Sequence, residues 1–262
     1  MVQQTEGRVA ARGCEIAYRA AGDGPPLVYL HGAGGLRWGA ALDGLAARFR
    51  VYGLDLPGFG RSTLADDVNS IPDAADVVAE AMAELGGGER MHVVGTSLGG
   101  RLAAWLAVRH PNRLNRLVLE SPAAFRPPDA PQLSALSPDQ MRRLLYGNPD
   151  VAPPTDDPAV RQQQLRVVGR LTKGVGWDEE LERSLSQIEA PTLILMGTLD
   201  GLVPPEMGRV YKERIPESYL IYVYGAAHAI QWDRPDRFVE VVGDFLTRGE
   251  AFMVPRASAA AS

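Results

Sequence analysis

The sequence predicts an α/β protein whose mostly parallel sheet is covered by helices on both faces. Short apolar runs such as LVYL and TLILM alternate along the chain with longer amphipathic segments, the order expected of repeated strand–helix units. Several runs are apolar at every position, as a strand requires when helices cover both faces of its sheet. The chain has 262 residues, 45% of them hydrophobic, so it can bury a substantial core.

The apolar runs predict seven strands and the amphipathic segments predict five helices in the α/β part of the chain. The strands are Cys14–Ala20, Leu27–Leu30, Val51–Leu54, Met91–Gly95, Leu117–Glu120, Thr192–Met196 and Tyr219–Val223. The helices are Trp38–Phe49, Ile71–Leu85, Leu98–Arg109, Pro205–Arg214 and Pro235–Thr247. In the second helix, apolar residues recur at helical spacing and form one stripe that faces the sheet.

The segment 122–189 interrupts this alternation. It is rich in proline at its start, carries helical patterns near Pro138–Tyr146 and Ala159–Leu171, and shows no convincing strand. Because structureless stretches of this length are uncommon in compact domains, we expect a helical cap or lid. The α/β core then comprises 1–121 and 190–249. The small-residue-rich end, 250–262, is expected to be a disordered tail.

Composition narrows the class of partner. The formal net charge of −5 argues against nucleic acid, which needs a concentrated basic face. The N-terminal stretch has no apolar core of signal-peptide length, and no window approaches a membrane span. Cys14 is the single cysteine, so no internal disulfide can form. We expect a cytoplasmic protein that binds a small molecule, without a nucleic acid or membrane partner; a homodimer stays possible.

The strongest local signal for chemistry is Gly95-Thr96-Ser97-Leu98-Gly99. It follows a predicted strand and opens a predicted helix, the context that a nucleophile elbow requires. In such a turn the serine backbone is strained, and the hydroxyl is lifted clear of the sheet at a helix N-terminus. Ser97 is therefore the candidate nucleophile.

A glycine-rich loop, His31-Gly32-Ala33-Gly34-Gly35, follows the second predicted strand. Acyl transfer builds negative charge on a carbonyl oxygen, and two preorganised N–H donors stabilise it. In an elbow enzyme one donor is the amide after the nucleophile, here Leu98, and the other comes from this loop, with Ala33 as the best candidate. His31 is expected to be structural and to hold the turn through its ring nitrogens.

A serine nucleophile needs a base, and the base needs an acid that orients it. Of the four histidines, His228 lies in a loop after the last predicted strand, at the carboxyl edge of the sheet where sites of open α/β folds assemble. Asp200 follows the preceding strand in Gly197-Thr198-Leu199-Asp200-Gly201. Glu120, at the end of the strand after the elbow, is the alternative acid. The resulting order is serine, aspartate, histidine, as in elbow-type hydrolases.

Taken together, the motifs HGAGG, DLPGFGRS, GTSLGG, GTLDGLVP and GAAHAIQWDRP resemble those of the α/β-hydrolase superfamily, over Gly13 to Arg248. The resemblance implies an eight-stranded sheet, a cap inserted after strand 6 and a cofactor-free hydrolase. HGAGG, Trp38 and Gln231-Trp232-Asp233 are also similar to the meta-cleavage-product hydrolases, which split carbon–carbon bonds. Two features depart from that subfamily: Gly39-Ala40-Ala41 follows the tryptophan where the subfamily has an asparagine, and Ala229 stands where it usually has tryptophan.

The sequence therefore predicts a serine hydrolase that cleaves a small, partly apolar ester of carboxylesterase or lactonase type through an acyl-enzyme. We expect no cofactor and no metal, since neither metal-ligand spacing nor a phosphate loop is present. The candidate pocket residues are Leu36, Trp38, Phe125, Leu144, Val203 and Trp232. Two other classes stay open: a carbon–carbon bond hydrolase with the same triad, and a ligand-sensing receptor on the same fold.

Overall fold

The structure is a computed structural model that describes residues 2–127 and 136–253. Its strands are β1 (Thr5–Ala11), β2 (Cys14–Ala21), β3 (Pro26–Leu30), β4 (Arg50–Leu54), β5 (Met91–Thr96), β6 (Leu114–Glu120), β7 (Thr192–Gly197) and β8 (Ser218–Val223). They form one sheet in the order β1-β2-β4-β3-β5-β6-β7-β8. Strands β3 to β8 run parallel, and β1 and β2 run antiparallel at one edge.

Helices cover both faces of the sheet. They are α1 (Ala40–Ala46), α2 (Ile71–Leu85), α3 (Leu98–Arg109), α4 (Pro138–Leu145), α5 (Pro158–Thr172), α6 (Glu179–Ser184), α7 (Gly208–Arg214), α8 (Ile230–Asp233) and α9 (Pro235–Arg248). Val28 and Leu30 of β3 pack with α2 and α3, whereas Leu27 and Tyr29 pack with α1 and α9. Because successive side chains of a strand point to opposite faces of the sheet, β3 contributes to two hydrophobic cores, one on each face. Among the described residues, no helix has an apolar stretch long enough to cross a bilayer.

The predicted fold class is confirmed, and within the described residues β1 is the one strand that the apolar runs do not predict. Its sequence, TEGRVAA, is mostly solvent-exposed at the sheet edge and carries no apolar run. It pairs with β2 through a tight turn in which Arg12 and Gly13 both have positive φ. An edge strand needs an apolar side chain only where it touches the core, so hydrophobic patterning identifies it poorly.

Two helices differ from their predicted bounds. The predicted helix Trp38–Phe49 is shorter at both ends. It ends at Ala46, and it begins only after Gly39, where the Trp38 indole N–H donates to Asp43 Oδ1 at 2.9 Å. The predicted helix Pro205–Arg214 divides into a 3₁₀ turn, Pro205–Met207, and α7. By contrast α2 has the predicted bounds, because Ser70 caps its N-terminus and Gly86 follows its last residue.

Between β6 and β7 the chain forms α4, α5 and α6, in the region predicted as a cap; residues 128–135 of that region lie outside the described residues. A buried ion pair ties the end of this inserted segment to the core. Arg101 of α3 contacts Asp178 Oδ2 at 2.7 Å, and Asp178 Oδ1 accepts the Leu181 amide at the start of α6. One carboxylate thus serves both as ion-pair partner and as helix cap.

The C-terminal end is packed further than expected. Residues 249–253 form a 3₁₀ turn, and the ring of Phe252 packs against Tyr219 and Phe245 at centroid distances of 5.0 and 5.3 Å. Packing therefore extends beyond position 250, where the tail is predicted to begin. The rest of that predicted tail, 254–262, lies outside the described residues.

Candidate active site

Ser97 occupies a sharp turn between β5 and α3. Its backbone has φ 55° and ψ −114°, in the left-handed half of conformational space that residues with a side chain rarely adopt. The flanking glycines permit this turn: a Cβ at Gly95 would lie 2.4 Å from the Gly99 carbonyl oxygen, and one at Gly99 would lie 2.1 Å from that of Leu30. The GxSxG spacing therefore reflects three backbone segments in close contact, with a serine at the helix N-terminus.

The glycine-rich loop after β3 lies directly against this turn. A Cβ at Gly32 would lie 3.2 Å from the Ser97 Cβ and 3.8 Å from its Oγ. Ala33, the predicted second oxyanion donor, is exposed on the loop beside Ser97, and Leu98 is the first residue of α3. The loop is close enough to the hydroxyl for its amides to take part in an oxyanion hole.

His31 anchors that loop. Its Nε2 accepts the Leu56 amide at 3.0 Å, so Nδ1 carries the proton and donates to the Gly32 carbonyl at 2.6 Å. Burial lowers the pKa of His31 to about 4, which keeps the ring neutral. His31 thus holds the turn through both ring nitrogens and has no free nitrogen for chemistry.

His228 and Asp200 form a buried pair at the carboxyl edge of the sheet. The Nδ1 of His228 lies 2.9 Å from Asp200 Oδ2, and both side chains are almost completely buried. The other oxygen of Asp200 accepts the amides of Leu202 and Val203, each at 2.9 Å. A carboxylate held by two N–H donors keeps its orientation, so it fixes the tautomer in which His228 Nε2 is free to accept a proton.

Close packing of the two loops positions this pair. A Cβ at Gly197 would lie 2.1 Å from the Ala227 carbonyl oxygen, so the chain after β7 touches the chain just before His228. Among the described residues, neither Ser97 Oγ nor His228 Nε2 has a hydrogen-bond partner. Such bonds are often long in unliganded enzymes and tighten in complexes with substrate. That the three side chains act as one triad stays a prediction.

Glu120, the alternative candidate for the acid beside the histidine, bonds to other groups in the structure. Its Oε2 accepts the Thr96 hydroxyl at 2.5 Å, and its Oε1 accepts the Gln231 amide at 2.9 Å. The Tyr29 hydroxyl lies 3.2 Å from Thr96 Oγ1 and accepts from the Gln231 side chain at 3.1 Å. Asp200, not Glu120, contacts the His228 ring. Glu120 instead links the residue before Ser97 to the segment after His228.

This buried network has unusual electrostatics. Burial raises the pKa of Glu120 to about 7, although the hydrogen bonds from Thr96 and Gln231 and the nearby His228 oppose the rise. Burial also raises the pKa of the Tyr29 hydroxyl, so that group stays neutral. The carboxyl of Glu120 therefore changes charge close to neutral pH, inside the protein and beside the base.

The predicted pocket residues fall into three groups. Leu144 and Val203 lie beside Asp200: a Cβ at Gly201 would be 2.5 Å from Leu144 Cδ2, and the Val203 amide bonds to Asp200. Phe125 is fully buried between Trp177 and Tyr211, with ring centroids 5.3 and 4.8 Å away, so it is a core residue in this structure.

The third group packs around the loop that leads into α1. The side chains of Leu36 and Trp38 lie over Gly53 of β4, and Trp232 lies over Gly39, where a Cβ would be 2.9 Å from the indole ring. All three are half-buried. Leu36 and Trp38 also pack against the core on the α1 and α9 face of the sheet, and Trp38 bonds to the Asp43 side chain.

The inserted segment touches the site from two sides. The end of α4 lies on the Asp200 and His228 loops, where the Ala229 amide donates to the Leu145 carbonyl at 2.9 Å. On the other side α5 faces the glycine-rich loop, since a Cβ at Gly35 would lie 3.2 Å from Gln164 Nε2. No group of three His, Cys, Asp or Glu side chains suited to a metal occurs within residues 2–127 and 136–253.

The chain is similar to known proteins over most of its length. The sequence profile of the alpha/beta hydrolase fold matches residues 25–155 and 149–235, most of the chain. The chain belongs to the α/β hydrolase fold family. A pimeloyl-[acyl-carrier protein] methyl ester esterase of Aeromonas hydrophila is 32% identical over 250 residues, covering 86% of this chain and 96% of the relative.

Two further proteins are similar to this chain. A 2-hydroxy-6-oxononadienedioate/2-hydroxy-6-oxononatrienedioate hydrolase of Burkholderia vietnamiensis is 29% identical and covers 89% of this chain and 91% of its own. The structure of a 2-hydroxy-6-oxo-6-phenylhexa-2,4-dienoate hydrolase from Rhodococcus superposes with a TM-score of 0.79 at 23% identity, covering 94% of this chain and all of that one. The predictions of family, fold and hydrolase class are confirmed.

Proposed function

We propose that the protein is a serine esterase in which Ser97 attacks the ester carbonyl, His228 is the general base and Asp200 orients His228. The observation that carries this proposal is the strained left-handed backbone of Ser97 at the same sheet edge as the buried His228–Asp200 pair. Strain of this kind persists where surrounding structure enforces it, and nucleophile elbows are such places.

The proposed mechanism uses the free nitrogen of His228. The Nε2 takes the proton of the Ser97 hydroxyl as its oxygen attacks the carbonyl carbon, and Asp200 stabilises the imidazolium that forms. The amides of Leu98 and Ala33 donate to the developing oxyanion, each worth about 3 kcal/mol in the transition state. His228 then gives the proton to the leaving alcohol, and afterwards activates the water that hydrolyses the acyl-enzyme.

For the substrate we propose an ester of a small alcohol with a partly apolar acyl chain. Relatives named as pimeloyl-[acyl-carrier protein] methyl ester esterases match 86–88% of this chain and 96–97% of their own length, at 28–32% identity. A methyl ester of a carrier-linked acyl chain is therefore the first substrate to test. Free methyl esters of the same acids would show whether the carrier is needed.

The inserted segment is proposed to be the cap that covers this substrate. Its support is the contact of α4 with the Asp200 and His228 loops and of α5 with the glycine-rich loop. We also propose a cytoplasmic location, because a chain with one cysteine forms no disulfide of its own and so suits a reducing compartment.

A carbon–carbon bond hydrolase is the second candidate. The relative from Burkholderia vietnamiensis covers this chain about as fully as the esterases do, and that activity would use the same serine and histidine. A ring-fission dienoate assayed beside the ester panel separates the two: the esterase proposal expects kcat/KM for the best ester to exceed that for the dienoate by at least about 100-fold.

Ser97→Ala tests the nucleophile. It should reduce ester turnover by at least about 10⁴-fold, because no other hydroxyl replaces the attacking oxygen. Ser184→Ala, a serine on α6 whose hydroxyl bonds only within its own helix, is the matched control and should keep wild-type activity. The readouts are release of nitrophenol from short esters and labelling by a fluorophosphonate. Undiminished turnover in Ser97→Ala would refute the assignment.

A further inference from the structure

Three backbone N–H groups converge on the carboxylate of Asp233, the last residue of α8. The amide of Ala227, the residue before His228, donates to Oδ2 at 2.8 Å. The amides of Gly147 and Asn148, which follow α4, donate to Oδ2 and Oδ1 at 2.8 and 3.1 Å. Within residues 2–127 and 136–253 no Arg, Lys or His forms an ion pair with Asp233, so these N–H dipoles are its partners.

A second set of contacts joins the same two segments. The Ala229 amide donates to the Leu145 carbonyl at the end of α4, at 2.9 Å. The side chain of Leu144 lies on Gly201, the residue after Asp200. The residue before His228 is thus bonded to the Asp233 carboxylate, which also binds the residues that follow α4. The residue after His228 is bonded to α4 itself. The end of α4 touches the loops of both the base and its acid.

Two sets of contacts determine the position of the His228 ring. Its Nδ1 is fixed by Asp200, and its Cα is fixed by the bonds at Ala227 and Ala229. The direction of Nε2 therefore depends on where the backbone of 227–229 is held. Because a misplacement of about 1 Å in a reacting group costs on the order of 100-fold in rate, a shift of this backbone would act on proton transfer.

We propose that Asp233 is a positioning residue that couples the docking of α4 to the orientation of His228 toward Ser97. The proposal rests on the proposed function, because it concerns the base of that mechanism. When α4 is seated, Gly147 and Asn148 share the Asp233 carboxylate with Ala227, and the histidine backbone is held. When α4 lifts, the carboxylate loses two of its three donors, and the segment before His228 is held less firmly.

A purely structural role would have a different signature. Asp233 is only half-buried, and its bonds to Gly147 and Asn148 lie at the surface, where water can replace an acceptor. Removing the carboxylate should therefore change the melting temperature little. It should still release the backbone beside His228, so that the rate of the chemical step falls without a matching loss of stability.

The experiment compares Asp233→Ala, Asp233→Asn and the matched control Asp236→Asn in the full chain. Asp236 is exposed in the first turn of α9 and loses the same charge, and among the described residues no hydrogen bond or ion pair joins its side chain to α4 or to the His228 loop. The assays are kcat and KM with nitrophenyl acetate and nitrophenyl hexanoate, the labelling rate of Ser97 by a fluorophosphonate, and thermal unfolding.

For Asp233→Ala we expect kcat and the labelling rate to fall by about 10- to 100-fold for both esters, with KM within about threefold. Asp233→Asn keeps one acceptor oxygen and should fall between that variant and wild type. Asp236→Asn should stay within about twofold of wild type in every readout. Because the asparagine variant preserves the shape of the side chain, it decides the outcome if Asp233→Ala does not fold.

Three results would overturn the proposal. One is an unchanged kcat and labelling rate in Asp233→Asn. Another is a loss confined to KM or to the longer ester, which would make Asp233 a substrate-binding residue. The third is a loss of activity that merely follows the unfolded fraction. Persistent turnover in Ser97→Ala would instead remove the proposed function itself, whatever the Asp233 variants show.

Discussion

Replacing Asp200 by asparagine tests whether the carboxylate beside His228 is the catalytic acid. The carboxylate faces the His228 Nδ1–H with one oxygen and the amides of Leu202 and Val203 with the other. An asparagine whose oxygen still accepts those two amides must turn its NH₂ group toward His228. Two donors then face each other, and the ring escapes only by moving its proton to Nε2, where it can no longer accept the serine proton.

The size of the effect follows from the separation of the two groups. At 2.9 Å, unit charges on the imidazolium and the carboxylate attract by about 6 kcal/mol in an effective dielectric constant of about 20. Because about 1.4 kcal/mol corresponds to a factor of ten in rate, loss of this attraction predicts a fall of about 10⁴-fold in kcat/KM. The buried position of both side chains justifies using the full value.

Glu120→Gln is the matched control for this prediction, since it makes the same chemical change in the neighbouring buried carboxyl. The glutamine oxygen can accept the Gln231 amide while its NH₂ donates to Thr96. Thr96 then donates to Tyr29, and Tyr29 donates to the Gln231 side chain once its amide turns over, so that the oxygen replaces the NH₂ group that faces Tyr29 in the wild type. The chain of bonds reverses without loss, so activity should stay within about tenfold of wild type.

The assay is the hydrolysis of nitrophenyl acetate at pH 8 by purified variants whose folded fraction is measured by circular dichroism. We expect Asp200→Asn to be near the limit of detection and Glu120→Gln to be readily measured. A fall of less than tenfold in Asp200→Asn would refute Asp200 as the acid, and a larger loss in Glu120→Gln than in Asp200→Asn would transfer the role to Glu120.

Two further predictions concern buried groups whose pKa differs from that of the unfolded chain. The pKa of Glu120, raised to about 7, lies above its unfolded value of about 4.3. The native state therefore binds more protons than the unfolded chain, and it loses up to about 3 kcal/mol of stability as pH rises from about 4.5 to 7. Urea unfolding of Glu120→Gln should lack this loss, and equal pH slopes in the variant and the wild type would contradict the prediction. The pKa of His92, lowered to about 4 by burial, lies below its unfolded value, so the native state loses stability as pH falls from about 6.5 to 4. His92→Leu, which also removes an unpartnered buried nitrogen, should unfold no more easily at pH 7.5 and lose less stability at pH 5.

Much of the fold was predictable because the parallel strands are buried on both faces. Strands such as β5 and β7 are buried at every position, so they stand out as uninterrupted apolar runs. The strand β1 has no such run, because most of its residues are exposed at the edge of the sheet. The shortening of α1 has a local cause, since Trp38 bonds to Asp43 instead of joining the helix.

The parts of the candidate site that depend on backbone geometry were predictable from the sequence. The glycines around Ser97 mark places where a Cβ would meet another chain segment, and His228 and Asp200 follow parallel strands that end at one edge. The polar networks were not predictable in this way. The bond from Gln231 to Glu120 spans 111 residues and that from Gly147 to Asp233 spans 86. Such partners depend on tertiary packing, and the QWDRP motif marks their positions without identifying their contacts.

Three carboxylates hold the segment 227–233 that carries the base, two from other parts of the fold and one, Asp233, from the end of the segment itself. Asp200 holds the ring of His228, Glu120 holds the amide of Gln231 from the sheet below, and Asp233 holds the amide of Ala227 together with the end of α4. Because each carboxylate binds a different group of this segment, removing them one at a time should give three different effects. Loss of Asp200 changes the chemical step, loss of Glu120 changes the pH dependence of stability, and loss of Asp233 uncouples the inserted segment from the base. The histidine loop is therefore the place where the fold, the inserted segment and the proposed chemistry meet.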